Sequence, residues 1–464
     1  MIRRLALSLA SLAFAGCAMV GPDYQRPAVD LPHSYPEPAA EAAQRVLSSD
    51  WWKLYKDRTL DQLVEKGLQK NADVRLAIAR IEEAEAVLRE AGATYFPLVQ
   101  GTAQGTRSRA STAGAVPVPA GARVRSDLQL TASTSFELDF WGRLRRAEEA
   151  ARAQYAASAY GRDVVALTLA AAVAQTYFAV RSLDAQISVA EETVQTSAES
   201  LGIVRRRAAA GLVSDLDVNQ AEAAQAQVAA QLKDLRRQRA AALHQLGALS
   251  GMLDLKLEPR DIRALPSPPL PPPGLPSRLL ERRPDVRQAE AQLAAANALI
   301  GVARAAQLPT FSLTGLIGLQ SRELSNLVSA SAGIGSIGLA VAAPIFDAGR
   351  YAARTEQAEA RQRQAAAAYQ KSAETAFREV SDALSNTAYV AEAEQDLRET
   401  VERARSTLRL ARIRYDSGYS GYLAVLDAQR TLNDAQLALV RNRQAYLAYS
   451  VDLMKALGGG WSAP

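Results

Sequence analysis

The chain has 464 residues, 48% hydrophobic but only 6% aromatic, with a formal net charge of +5. That length suits two or three ordinary domains or one large elongated one, and an alanine-rich, aromatic-poor composition suits helices packed closely along their length. The charge falls to +3 once residues 1–16 are set aside (52 basic, 49 acidic), too mild to argue for nucleic acid, and composition names no partner.

Met1-Ile2-Arg3-Arg4 reads as a basic n-region and Leu5 to Phe14 as an apolar core too short to span a bilayer. Small residues follow at Ala15-Gly16, and then Cys17, the one cysteine of the chain. This order resembles the lipobox of a bacterial lipoprotein, in which residues 1–16 are the signal peptide and Cys17 becomes the acylated N-terminus. Ala18 stands where an aspartate would signal retention at the inner membrane. A single cysteine also excludes an intrachain disulfide.

Beyond residue 70 the sequence is written twice. Residues 71–103 match 283–315 with Asp73-Val74-Arg75 over Asp285-Val286-Arg287 and Pro97 over Pro309; "FWGR" (140–143) then answers "DAGR" (347–350), and Gly211 answers Gly418. Each copy opens with a helical stretch that ends near its proline. In the first copy, residues 98–109 and 128–140 read as strands, and 128–140 (LQLTASTSFELDF) alternates strictly, apolar at even positions except Thr134 and polar at odd ones. Period two over that length means a strand with two different environments.

From Arg143 to Ala210 no proline occurs, which predicts a helix on the order of 100 Å long. Gly211 fits the position just past its C-terminus, where positive φ is needed. Ser214 or Asp215 then caps a returning helix over about 215–250. The run "LPSPPLPPPGLP" (265–276) cannot be helical and reads as an extended strap between the copies. The second copy repeats the order: Phe311, Leu313, Gly315, Ile317 and Leu319 alternate, residues 333–343 return, a long helix spans 350–417, and Gly418 turns it into a helix over about 421–457. The expected organisation is therefore 1–16 signal peptide, 17–264 first repeat (strands about 98–140, long helices about 142–250), 265–276 strap, and 277–464 second repeat (strands about 309–345, long helices about 350–457).

Four strands cannot close a barrel. Strands of about 10–13 residues with one apolar and one polar face are what a transmembrane barrel requires, and open edges in lipid must find partners. Three chains would supply twelve strands. Residues for bond chemistry are scarce: His33 and His244 lie far apart, and no HExxH, phosphate-cradling glycine loop or nucleophile elbow occurs. No enzyme activity, catalytic residue, metal or cofactor is expected beyond the covalent lipid on Cys17.

The duplicated order, with "FWGR", "FDAGR", "LVSDLDVNQAEA" and "LAVLDAQRTLNDAQ", resembles the TolC-type outer-membrane efflux factor family over essentially the whole chain. Cys17 and the following "GPDYQRP" resemble its lipidated, OprM/NodT-like branch. The resemblance implies a mainly α fold with a transmembrane β-barrel: a homotrimer in which four strands per chain build a 12-stranded barrel and duplicated helical hairpins form an α-barrel tunnel. It implies the outer-membrane exit duct of a tripartite efflux system, passing small molecules such as drugs from an inner-membrane transporter and a periplasmic adaptor. The rival classes are a lipidated adaptor, which carries one hairpin rather than two repeats, and a structural coiled-coil lipoprotein, against which the alternating strands argue. By the same resemblance the tunnel is pinched at the periplasmic tips. Tyr415 matches the gate tyrosine, Asp427 matches a constriction aspartate, and Asp416 could substitute where Ser420 replaces the acidic residue often found in the branch. Adaptor contacts fall to Gly211, Leu212, Val213 and Ser214 on one tip and to Gly418 and Tyr419 on the other.

Overall fold

A computed structural model describes residues 19–36, 48–114, 118–119, 121, 123–274 and 276–461. Cys17 and the signal segment lie outside the described residues. The elements run α1 (Arg58–Lys70), α2 (Ala72–Ala93), β1 (Leu98–Arg109), β2 (Val124–Leu138), α3 (Arg143–Ala209), α4 (Asp215–Ser250), α5 (Pro284–Ala305), β3 (Thr310–Ser321), β4 (Gly333–Ala342), α6 (Arg350–Asp416) and α7 (Tyr422–Ala456). The fold is mainly helical with one four-stranded sheet. It divides into two compact units, Met1–Ala28, Ile81–Ser158 and Ala289–Tyr369 in the first, Val29–Arg80, Ala159–Gln288 and Gln370–Pro464 in the second.

In the first unit the strands form an antiparallel sheet in the order β1-β2-β3-β4. The register carries the sequence alternation across all four. Val99, Gly101, Ala103 and Gly105 of β1 lie opposite Thr134, Ala132, Leu130 and Leu128 of β2. Those in turn face Gly315, Ile317, Leu319 and Ser321 of β3, and Ile337, Leu339 and Val341 of β4 complete the face. The reverse face carries Gln100, Thr102 and Gln104, then Gln129, Thr131 and Ser133, then Ser312, Thr314 and Gln320. One face is thus mainly apolar, with Thr134 and Ser321 as exceptions, and the other mainly polar, with Leu98, Leu316 and Ile334 as exceptions. β2 begins at Val124, earlier than the alternation from Leu128 suggests, because Val124–Asp127 extend the ladder against Thr106–Arg109.

The repeated glycine-arginine motifs turn strand into long helix. Gly142 and Gly349 take φ of +77° and +82°. Asp139 accepts hydrogen bonds from the Leu144 and Arg145 backbone N–H groups, and Asp347 accepts from those of Gly349 and Tyr351. Each carboxylate therefore fills the orphan donors of a helix N-terminus. Trp141 donates its indole N–H to the Pro309 carbonyl at 2.7 Å, tying the end of β2 to the start of β3.

The second unit has its own core. Trp51, Trp52 and Tyr55 of a 3₁₀ turn and Leu60, Leu63 and Val64 of α1 pack on Leu169–Val180 of α3 and on Val440, Leu447, Val451 and Met454 of α7. Neither the 3₁₀ turn nor α1 was expected from the sequence, where no periodicity longer than a few turns marks them. Asp57 organises this region: it caps α1 through the Thr59 and Leu60 N–H groups and accepts from the Tyr177 hydroxyl and Arg260. The proline strap has no helix or strand over 266–274. Its start is held by Arg443, which donates to the Leu265 carbonyl and the Ser267 hydroxyl.

Candidate functional site

Two helical hairpins, α3–α4 and α6–α7, end in tips built alike at the outgoing helix. Leu212 N–H bonds the Arg207 carbonyl and Gly211 N–H the Ala208 carbonyl, both at 2.9 Å; Tyr419 N–H bonds the Arg414 carbonyl at 2.8 Å and Gly418 N–H the Tyr415 carbonyl at 3.1 Å. This paired closure needs a left-handed residue, and Gly211 and Gly418 supply φ of +71° and +77°. Nothing lies within 4 Å of where a Cβ would stand on either, so backbone conformation alone selects glycine. The closure also throws the next side chain outward: Leu212 is 73% and Tyr419 79% exposed.

The returning helices differ. α4 starts at Ser214, whose backbone N–H and hydroxyl both donate to the Asp217 carboxylate. α7 starts at Gly421, which has no side chain to cap with, and no acidic residue stands in its first turn. The neighbouring Ser420 hydroxyl is buried without a hydrogen-bond partner.

Between the tips lies a shared apolar cluster. Leu201, Val204 and Ala221 of the first hairpin pack with Leu408, Tyr415, Tyr422, Val425 and Ala428 of the second, and Val213 leans on the same cluster. Tyr415 is only 7% exposed; its ring meets Tyr422 at 5.3 Å, and its hydroxyl has no partner. Burial raises the Tyr422 hydroxyl above the usual phenol range.

Arg207 joins the two tips. Its guanidinium sits 4.5 Å over the Tyr415 ring, donates to the Tyr415 carbonyl at 3.2 Å, and reaches the Asp416 carbonyl and carboxylate at 3.4 Å. The sequence pointed to Tyr415 and Asp416 but not to this partner, which sits within a run of three arginines (Arg205 to Arg207) that gave no reason to choose one. Asp427 is placed elsewhere. It is exposed, pairs with Arg430 one turn along its own helix at 3.5 Å, and lines a groove with Asp396, Glu399 and Arg403. Asp416 lines a different groove with Glu192, Arg409, Arg412 and Asn433. The structure thus brings Tyr415 and Asp416 together around Arg207 and leaves Asp427 apart. Of the tip residues, Gly211, Leu212, Ser214, Gly418 and Tyr419 are exposed and Val213 is half-buried.

Nothing at the tips is arranged for bond chemistry. His33 and His244 are exposed, and among the described residues no group of three His, Cys, Asp or Glu could hold a metal.

A sheet with one mainly apolar and one mainly polar face, in a chain that also carries two long helical hairpins, is the makeup of an outer-membrane channel subunit. The family model described as "Outer membrane efflux protein" matches residues 63–252 and 275–459. The solvent efflux pump outer membrane protein SrpC of Pseudomonas putida is 36% identical over 464 residues, covering 98% of this chain and 97% of SrpC. The cation efflux system protein CusC of Escherichia coli is 33% identical over 458 residues, covering 97% of each. The solved structure of the outer-membrane channel OprN superposes with a TM-score of 0.87 at 31% identity, over 95% of this chain and 99% of that one. The chain belongs to the outer membrane efflux protein family; it is an efflux channel of the outer membrane and not an enzyme.

Proposed function

We propose that three copies of this chain close a twelve-stranded barrel and act as the exit duct of a tripartite efflux system, with a periplasmic adaptor and an inner-membrane transporter as partners and small molecules such as drugs as cargo. The observation that carries this reading is the sheet itself: one face is predominantly apolar across all four strands, and β1 and β4 are left as open edges. Unpaired backbone in lipid costs several kcal/mol per group, roughly, so β4 of one copy must meet β1 of the next. The polar face then lines the lumen. SrpC, named for solvent efflux, supports small molecules as the cargo.

Cys17 is the lipid attachment point in this reading, supported by its place directly after Ala15-Gly16 and the apolar run. Tyr415, Asp416 and Asp427 form the constriction, where a three-fold ring of carboxylates narrows the pore and favours cations. Gly211, Leu212, Val213, Ser214, Gly418 and Tyr419 are the adaptor-docking tips, and the outward Leu212 and Tyr419 are the apolar contacts such a partner would bury. Docking moves the second hairpin and breaks its ties to Arg207. The test is the mass of the protein extracted from outer membranes in mild detergent, measured by light scattering. Three chains per particle is the expected result; a monomer that stays in solution without detergent would overturn the barrel and the duct together.

A further inference from the structure

The two faces of the sheet end differently where the hairpin loops begin. Along the apolar face of β1 the order is Val99, Gly101, Ala103, Gly105 and then Arg107 and Arg109. Arg107 lies opposite Ser126 and Arg109 opposite Val124, the first and second pairs on this face past Leu128, where the regular apolar run of β2 begins. Both arginines are exposed. Among the described residues neither side chain has a hydrogen bond or an ion pair, and the adjoining loop carries no charge from residue 110 until Arg123, next to β2.

The spacing sets their depth. From Leu128 to Leu138 the strand rises about 33 Å, which at a tilt of roughly 40° gives an apolar band about 25 Å tall, the height of a barrel's lipid-facing belt. Arg107 and Arg109 therefore stand just beyond hydrocarbon, on the outer wall, at the end away from Trp141 and the long helices. An arginine there escapes the cost it would carry at mid-membrane. Its forked donors match a phosphate oxygen pair.

We propose that Arg107 and Arg109 form a rim site for the phosphate groups of an anionic outer-leaflet glycolipid, one site per chain. The site rests on the reading that the apolar face meets lipid. It gives the wall of the duct a specific lipid contact; the other charges of that rim differ in place, Arg125 and Asp127 lying on the reverse face opposite Ser108 and Thr106, and Arg123 in the loop.

The test is native mass spectrometry of the intact detergent-extracted protein titrated with bis-phosphorylated lipid A, and with phosphatidylethanolamine for comparison. The native chain is expected to retain lipid A in preference, more weakly as salt rises. The double variant Arg107→Gln/Arg109→Gln should bind it about thirtyfold less tightly, given the usual contribution of each arginine at a lipid surface. Arg125→Gln, on the opposite face, should bind as the native chain does. Equal retention of the two lipids, native-like binding by the double variant, or displacement of lipid A by millimolar inorganic phosphate would each overturn the site. The double variant should keep the three-chain mass and native conductance. A native protein that is not a trimer would instead strike the channel reading, so the two failures are distinguishable.

Discussion

The two hairpin tips share their outgoing closure almost atom for atom and then diverge. The first is finished at both ends: a glycine closes α3, and Ser214 with Asp217 starts α4. The second has the same glycine closure but starts α7 on Gly421, and it buries two hydroxyls, those of Tyr415 and Ser420, without partners. It gains instead a tie from outside itself, Arg207 of the first tip. A buried, unsatisfied hydroxyl costs on the order of 1–3 kcal/mol, so the second tip holds its shape less by its own bonds than by the first tip's grip. Duplication supplied two like hairpins, and the second is left with fewer bonds of its own.

Arg207→Ala should separate the tips most. It removes the contact over the Tyr415 ring, the two carbonyl bonds and the pair with Asp416 at once. The conductance of the purified channel in planar bilayers should rise several-fold, with Arg207→Lys intermediate, since an ammonium cannot keep the fork. Gly418→Ala should come next. Forcing alanine to positive φ costs about 1–2 kcal/mol, and faster hydrogen exchange around residues 414–422 would report it. Gly211→Ala should cost the same but leave conductance nearer native, because the first tip keeps its other bonds. Asp416→Asn should loosen the tie less, an exposed pair being worth roughly 0.2–1 kcal/mol, and Asp427→Ala should leave the tie intact, since Asp427 pairs only along its own helix, and change conductance only by removing its charge from the constriction. The mildest change runs the other way: Gly421→Ser gives the second tip the missing cap, worth a few tenths of a kcal/mol, roughly. It should lower conductance slightly; a rise would mean that the missing cap does not loosen this tip.

Much of this is legible in the sequence. Periodicity of two in 128–140 marks the strand and both its faces, because alternation survives whatever pairs with it; the strand itself ends at Leu138, where Asp139 turns to cap the long helix. Gly211 and Gly418, a fixed interval apart, marked the tips because a left-handed closure leaves a glycine in the sequence. What stayed hidden depends on distance along the chain. Arg207 meets Tyr415 across more than two hundred residues, and no local pattern records that meeting. The orphaned Ser420 hydroxyl was visible only as a departure from a family pattern. Asp427 shows the converse: its motif matched the family, while its side chain turns to Arg430, away from the tie between the tips. The core around Trp51, Tyr55 and Tyr177 was missed for the same reason as Arg207, since Asp57 assembles it from segments far apart in sequence.

The most direct test of the central claim, that the first tip holds the second shut, is the single-channel conductance of Arg207→Ala beside the native protein, both verified as trimers by light scattering. Conductance of the variant should rise clearly. Native conductance in an intact Arg207→Ala trimer would contradict it and leave Tyr415 and Asp416 as parts of an ordinary turn.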